Sequence, residues 1–443
     1  MNPNLLTRTN MGTEKSLLER RRDVTLPAWG DGYGGVDDGF EVTKYHDGYY
    51  LDGKFRGQDV NDVIDIFHGV LCRIVRPDHP KILDAEQRAR EVGITHIGKT
   101  DTHEIIVGFQ ERLQRAYEQL GLGSARVLLD VTGSGGNSRA HCLANAYTRG
   151  GKPFYLKGCY HGNDYLGKAT VGLPPWMGKH SPRIKGLTHL PHGAEGSARL
   201  EHILRDTRLS GRRPFMFAED IQGIGGFVNP GNKFLTDAVK QMGENGGVFV
   251  NDNVQTGMRR GGYFSVPHWL QENPSKVKTP IMVSFAKAIA NGEQISGVIV
   301  PEAIAKDLKE HPEFYGKHWA TYDSNVRSAA IGSAVHDIYH EEGLAERTPQ
   351  VRAAFLEGMD SIAREREDVV KTVRGDGLMI GIQLQTAEQA THCLNNCIGF
   401  GVRVGIGGDT LRIAPLADTP FDIVKEAGKR VARLLDSVPR KED

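Results

Sequence analysis

The hydrophobic pattern changes character near residue 120. From about 120 to 300, short β-branched runs alternate with helical stretches and glycine-bearing loops, the rhythm of a mostly parallel sheet covered by helices. Six runs read as strands: RVLLDV (126–131), PFYLKG (153–158), FMFAED (215–220), GVFVND (247–252), IMVSFA (281–286) and GVIV (297–300). Several end in a polar or reactive residue, and in an open parallel sheet a ligand lies beyond the carboxyl ends of the strands. After about 325 an Ala-rich helix (SAAIGSAVHDIYHEEGLAERT) and a charged helical stretch lead to GLMIGIQLQ, a helix near 387–399 and VRVGIGGDTLRIAP. Strands followed by helices, rather than strict alternation, predict a smaller α+β domain. Residues 1 to about 40 are polar, then Gly-rich, and read as an arm that wraps something.

Composition narrows the function classes. A chain of 443 residues fits two or three folding units at about 150 residues each. With 55 Lys plus Arg against 55 Asp plus Glu, no electrostatic argument favours a nucleic acid or an anionic membrane as the obligate partner. The five cysteines (Cys72, Cys142, Cys159, Cys393 and Cys397) are few, odd in number and spread out, which predicts a reducing compartment rather than a disulfide framework. Cys393 and Cys397 have one-turn helical spacing, but no second pair completes a metal site, so no metal is expected. The N-terminus lacks an apolar signal-peptide core and no apolar run approaches the ~18 residues of a membrane span. A soluble, cytoplasmic protein is expected.

Three constellations could carry chemistry. In LLDVTGSGGNSRAHCLANAY a buried strand leads to a turn holding Gly133, Ser134, Gly135 and Gly136, with a helix expected from Ser138 or Arg139. Such a turn aims free backbone N–H groups and the positive end of a helix dipole at one spot, as a phosphate requires, though a tight connection gives the same pattern. It is neither a Walker loop nor a dinucleotide turn. In GVFVNDNVQTG, Asp252 ends an apolar strand. A carboxylate at the rim of a buried sheet needs a cation or a firm donor; capping the next turn is the competing reading. In IMVSFAKAIANG, Lys287 follows a strand among Phe285, Ala286, Ala288, Ile289 and Ala290. Burial there lowers the amine's pKa and favours the neutral nucleophile. One aldehyde cofactor with a phosphate and a ring nitrogen satisfies all three, and pyridoxal phosphate fits: its phosphate at 133–136, its ring nitrogen on Asp252 and its aldehyde carbon joined to Lys287.

The ordered set TGSGGNS, KGCYHGND, FAEDIQGIGG, VNDNVQTGMRRGG and SFAKAIANG resembles the class III (omega-type) aminotransferases of the fold type I pyridoxal-phosphate enzymes. The resemblance extends through DGKFRGQDVNDVIDIFHGVLCRIVRPDHPKILDA, HWATYDSNVRSAAIGSAVHDI, VRGDGLMIGIQL and DTLRIAP, over roughly residues 45 to 435. It implies an N-terminal arm at 1–40, the first part of the small domain at 41–100, a large cofactor-binding domain at 101–325 and the rest of the small domain at 326–443. It further implies that Gly133 and Ser134 hold the phosphate, Tyr160 stacks on the pyridine ring with His161 beside it, and Glu219 lies near the ring and substrate channel. Asp252 would contact the ring nitrogen, Gln255 the ring hydroxyl, and Lys287 would form the imine. Thr321 would bind the phosphate of the neighbouring subunit, making a homodimer obligatory, and Arg412 matches an arginine that grips a substrate carboxylate. By themselves the three have competing readings, Tyr160 as a core aromatic, His161 as a turn histidine and Arg412 as a surface ion-pair residue.

The chain departs from the family pattern where Gly-Ser-Glu-Ala-Asn-Glu becomes GSGGNS, so that Gly135 and Ser138 stand in place of glutamates. The usual Glu-Pro is Glu219-Asp220, Asp-Glu is Asp252-Asn253, and Asn-Pro is Asn325-Val326. Lost acids around a cofactor suggest an unusual substrate. The expected activity is transfer of an amino group between an amine or amino acid and a keto or aldehyde acceptor. Racemase, aminomutase or lyase chemistry on the same scaffold, or a catalytically degenerate relative, are the alternatives.

Overall fold

A computed structural model describes residues 17–24, 39–98, 101–209, 211–316, 320–359 and 362–440. Most of the arm expected at 1–40 therefore lies outside the described residues; Leu17–Val24 within it is helical. Strands β1 (Glu41–His46), β2 (Tyr50–Phe55) and β3 (Gln58–Asp65) form an antiparallel meander.

The central sheet contains β4 (Ala125–Asp130), β5 (Lys152–Leu156), β6 (Thr188–Leu190), β7 (Pro214–Ala218), β8 (Val248–Asp252), β9 (Ile281–Phe285) and β10 (Ser296–Pro301). Their order is β4-β10-β9-β8-β7-β5-β6. All six expected strands are present. β6 has three residues, too few to leave a period in the sequence. Every residue of β7, β8 and β9 is buried, because helices cover both faces of the sheet. The helix Asn232–Glu244 shows how: it buries Phe234, Leu235, Ala238, Val239 and Met242, one stripe at helical spacing.

Among the described residues of this sheet only β10 is reversed, antiparallel to both β9 and β4. The ten residues between β9 and β10 (286–295) are too few for a parallel crossover, which needs a dozen or more. The other neighbouring strands pair in parallel, so their carboxyl ends share one edge.

Beyond the Ala-rich helix Val326–Glu341 and the helix Leu344–Gly358, β11 (Val370–Asp376) and β12 (Met379–Leu384) form a hairpin. Then come β13 (Val402–Arg403), β14 (Gly405–Gly407) and β15 (Thr410–Ile413). β15 pairs with β12 and β14, whereas β13 joins the first sheet, parallel to β3. Cys393 and Cys397 are buried free thiols, and the Cys397 thiol donates to the Leu394 carbonyl oxygen. Among the described residues no helix is long and apolar enough to cross a membrane.

Candidate active site

The chain leaves β4 at Asp130 and enters a helix at Gly133, five residues earlier than the expected start at Ser138. The glycines are the helix's first turn rather than a loop before it. Thr132 is the N-cap: its Oγ1 accepts from Gly135 N at 3.0 Å and its carbonyl accepts from Gly136 N at 2.9 Å. The amides of Gly133 and Ser134, ahead of the first intrahelical acceptor, remain directed outward at the positive end of the dipole. Glycine is required at 135 and 136 by close approach. A Cβ on Gly135 would collide with the Asp130 carboxylate, and one on Gly136 would lie 2.9 Å from the Gly297 carbonyl oxygen of β10.

Asp252, the last residue of β8, is surrounded by donors. Its Oδ2 accepts from Asn137 Nδ2 at 2.8 Å and pairs with His161 Nδ1 at 2.7 Å. Its Oδ1 accepts from Val254 N at 2.9 Å and Ser284 Oγ at 3.4 Å. Burial alone would push the His161 imidazole down, but the neighbouring Cys159 and the Asp252 carboxylate outweigh it and hold the ring well above its ordinary pKa. Turn-capping by Asp252 and the pairing reading thus coexist, since Oδ1 binds the next turn while Oδ2 meets the histidine.

Lys287 follows β9 after a single alanine, with φ at 52°, in the left-handed region. Burial lowers its pKa from the ordinary 10.5, with Arg412 acting in the same direction and Cys72, Asp252 and Glu219 opposing. Asn291 closes the short turn after it, and its Oδ1 accepts from Ile74 N and Val75 N at 3.0 and 3.2 Å. The lysine loop is thereby tied to the N-terminal segment.

Glu219 follows β7 and is buried, its Oε2 accepting from Tyr160 N at 3.2 Å and its Oε1 from Gly223 N at 3.0 Å. Desolvation raises its pKa to about 8; Asp252 adds to the rise and His161 opposes it. The Tyr160 ring meets Trp176 edge-on, with centroids 5.0 Å apart. Arg412, in β15, is 0% exposed, which excludes the surface ion-pair reading. Its guanidinium sits 5.4 and 5.1 Å from the Phe67 and Phe227 rings and donates to Gln255 Oε1 at 2.7 Å.

These elements converge on one cavity of about 130 Å³, lined by Gly133, Ser134, Asn137, Tyr160, His161, Gly162, Glu219, Asp252, Val254, Gln255 and Lys287. Eight of the ten residues singled out from sequence line it. Arg412 lies one side chain behind, on Gln255, and Thr321 is exposed on a loop outside the lining. Sequence reasoning missed Asn137, which binds both Asp252 and the His161 carbonyl oxygen, the latter at 2.8 Å. Its position one helical turn after Gly133 was the available signal.

Three of the family departures, at Gly135, Ser138 and Asn253, have local counterparts in the structure. Asp130, from the strand end, fills the space beside Gly135, and the Ser138 hydroxyl donates to Asp164 Oδ2 at 2.6 Å. Two missing helix glutamates thus have carboxylates nearby from other elements, which removes their loss as an argument for an unusual substrate. Asn253 both donates to the Ser265 carbonyl at 2.7 Å and accepts from Ser265 N at 2.6 Å, a two-way clamp that an ionised glutamate cannot make.

The architecture is that of fold type I pyridoxal-phosphate enzymes. It superposes with a TM-score of 0.78 on an amine transaminase from an uncultivated Pseudomonas species in its PLP-bound form, 21% identical, covering 99% of both chains. A taurine:2-oxoglutarate aminotransferase from Bifidobacterium kashiwanohense superposes equally well, TM-score 0.78 at 16% identity over 90% of this chain and 94% of that one. The chain belongs to the family Aminotransferase class-III, whose profile matches residues 42–426. It is similar to the human mitochondrial alanine–glyoxylate aminotransferase 2, 29% identical over 80% of this chain and 74% of that protein. It is also similar to the acetylornithine/succinyldiaminopimelate aminotransferase of Yersinia pestis, 25% identical over 86% and 90%. The protein is a PLP-dependent aminotransferase, moving an amino group between an amine or amino acid and a keto or aldehyde acceptor.

Proposed function

We propose that Lys287 is the lysine this family bonds to its cofactor, that Asp252 faces the ring nitrogen, and that Gly133 and Ser134 receive the phosphate. The observation that carries the reading is that an amine, a carboxylate and a helix N-terminus line one cavity. The residues present suit the cofactor: free N–H groups for a dianion, an acid for a ring nitrogen and a desolvated amine for an aldehyde. When bound, pyridoxal phosphate supplies an aldehyde that condenses with amines and a ring that accepts an electron pair.

The protein's own groups then do the following. Asn137 and His161 fix the Asp252 carboxylate in one orientation, so its charge is in place before the ring arrives. Lys287 Nζ, its pKa lowered by burial, is shifted toward the neutral amine that can take a proton from substrate carbon and return it. Tyr160 covers one side of the cavity, held by Glu219 through its backbone and by Trp176 through its ring. Gln255 is placed for the ring hydroxyl and restrains Arg412 until a substrate carboxylate competes for it.

The substrate class in this reading is an α- or ω-amino acid with a keto acid acceptor. Arg412 supports it, as do relatives whose names specify alanine, glyoxylate and acetylornithine. The reading includes a homodimer in which Thr321 reaches the neighbour's phosphate, and location in the cytoplasm, supported by five free thiols. The test is a donor panel with the cofactor's absorbance followed in the absence of acceptor. Stoichiometric conversion from the aldehyde to the amine form by an amino acid is expected. Solvent deuterium entering the donor with no keto product would overturn transfer in favour of racemisation.

A further inference from the structure

A buried ion cluster separates the phosphate end of the cavity from the loop carrying Thr321. Arg139, in the second turn of the helix Gly133–Tyr147, donates from Nε to Asp130 Oδ2 and places Nη2 3.7 Å from Asp323 Oδ2. The Arg139, Asp130 and Asp323 side chains are only 8%, 11% and 6% exposed. Each carboxylate also organises backbone at its own end. Asp130 Oδ1 accepts from Val131 N at 2.7 Å, shaping the entry to Thr132 and the helix cap. Asp323 accepts from Ala320 N and Ser324 Oγ at 3.3 and 3.2 Å, closing the turn that contains Thr321. That turn is docked on residues 95–97 through the bonds Ile97 N to Ser324 O and Val326 N to Thr95 O.

One guanidinium therefore stands between two buried carboxylates, one shaping the cup that the first turn of the helix Gly133–Tyr147 would offer a phosphate, the other shaping the loop. Such an arrangement is rigid, because moving either acid away from the cation leaves a buried charge less compensated. We propose that Arg139 is a positioning residue that couples the phosphate end of its own subunit's site to the Thr321 loop offered to the neighbouring subunit. Order in one site then steadies the loop that completes the other. This rests on the dimer proposed above.

Hybrid dimers test it. One subunit carries Lys287→Ala, so that only the other gives the absorbance of lysine-linked cofactor, and PLP is titrated against that signal. Placing Arg139→Met in the Lys287→Ala subunit leaves the competent site's own cup intact and disturbs only the loop it receives. The affinity of that site is expected to fall about five- to tenfold, within the usual range of coupling between sites. Asp323→Asn in the same subunit, which spares the Arg139–Asp130 pair, is expected to act in the same direction. Arg139→Lys, a point charge without the planar fork, is expected to restore part of the loss. Hybrids that sediment as dimers yet bind PLP as tightly as the Lys287→Ala hybrid alone would sink the coupling and leave the dimer standing. A chain that sediments as a monomer would sink both.

Discussion

Lys287 occupies a conformation that a residue with a Cβ adopts at a cost of roughly 1–2 kcal/mol. The cost is met by the packing of Phe285, Ala288 and Ile289, all buried on either side of it. Replacing it with alanine is expected to leave the fold intact and to lower turnover by about a thousandfold or more, since its proposed roles as covalent link and proton carrier are both removed. Borohydride reduction followed by peptide mass analysis checks the assignment; cofactor still fixed to the Lys287→Ala chain would refute it. For Asp252→Asn, the proposed ion pair with the ring nitrogen, near 4 Å at an effective dielectric of 20, would be worth about 4 kcal/mol, so turnover at saturating cofactor should fall by about a thousandfold. Both residues were legible in the sequence because Asp252 ends an apolar strand and Lys287 follows one after a single alanine. Their partners were not: Asn137 meets Asp252 across 115 positions and Gln255 meets Arg412 across 157, and such pairings exist only once the sheet has assembled.

At the scale of elements, the six long strands were legible because buried runs of β-branched and aromatic residues have few other uses. The start of the cup helix was hidden by glycine, which is about 1 kcal/mol worse than alanine inside a helix and reads as a loop. The reversal of β10 leaves no trace in strand composition; its signal is the ten-residue connection from β9, too short for a parallel crossover. Gly135→Ala separates propensity from packing. Helix propensity alone favours alanine, whereas the Asp130 carboxylate, held by Arg139 and Val131 N, occupies the space of the new methyl group. Packing should win, with net destabilisation of about 1–3 kcal/mol in denaturant unfolding of the apoprotein and weaker PLP binding. An increase in stability would show that the Asp130 side chain yields.

Stability against pH belongs to the whole molecule. Glu219 has its folded-state pKa raised to about 8 from an ordinary 4.5, so between these values the folded chain holds a proton that the unfolded chain has released. Its contribution is therefore favourable in acid and is lost as pH rises through this window, flattening above about 8. Glu219→Gln should remove that part of the apoprotein's decline in midpoint between pH 5 and 8; an unchanged slope would show that the carboxyl is ionised in the fold. The pairing of β3 with β13 joins residues 64 and 402, so the first sheet is complete only when the late chain has arrived.

Three of the first four residues of the cup helix are glycines, and each is in place because a neighbour leaves no room for a side chain. That turn has little intrinsic reason to stay wound and depends on its cap and on whatever anion its amides receive. Uptake of pyridoxal phosphate should then act as a final folding step for this turn. In amide hydrogen exchange, Gly135 and Gly136 should trade their hydrogens with solvent measurably faster in the stripped enzyme than in the loaded one, while β7 and β8, sealed on both faces, stay equally silent in the two.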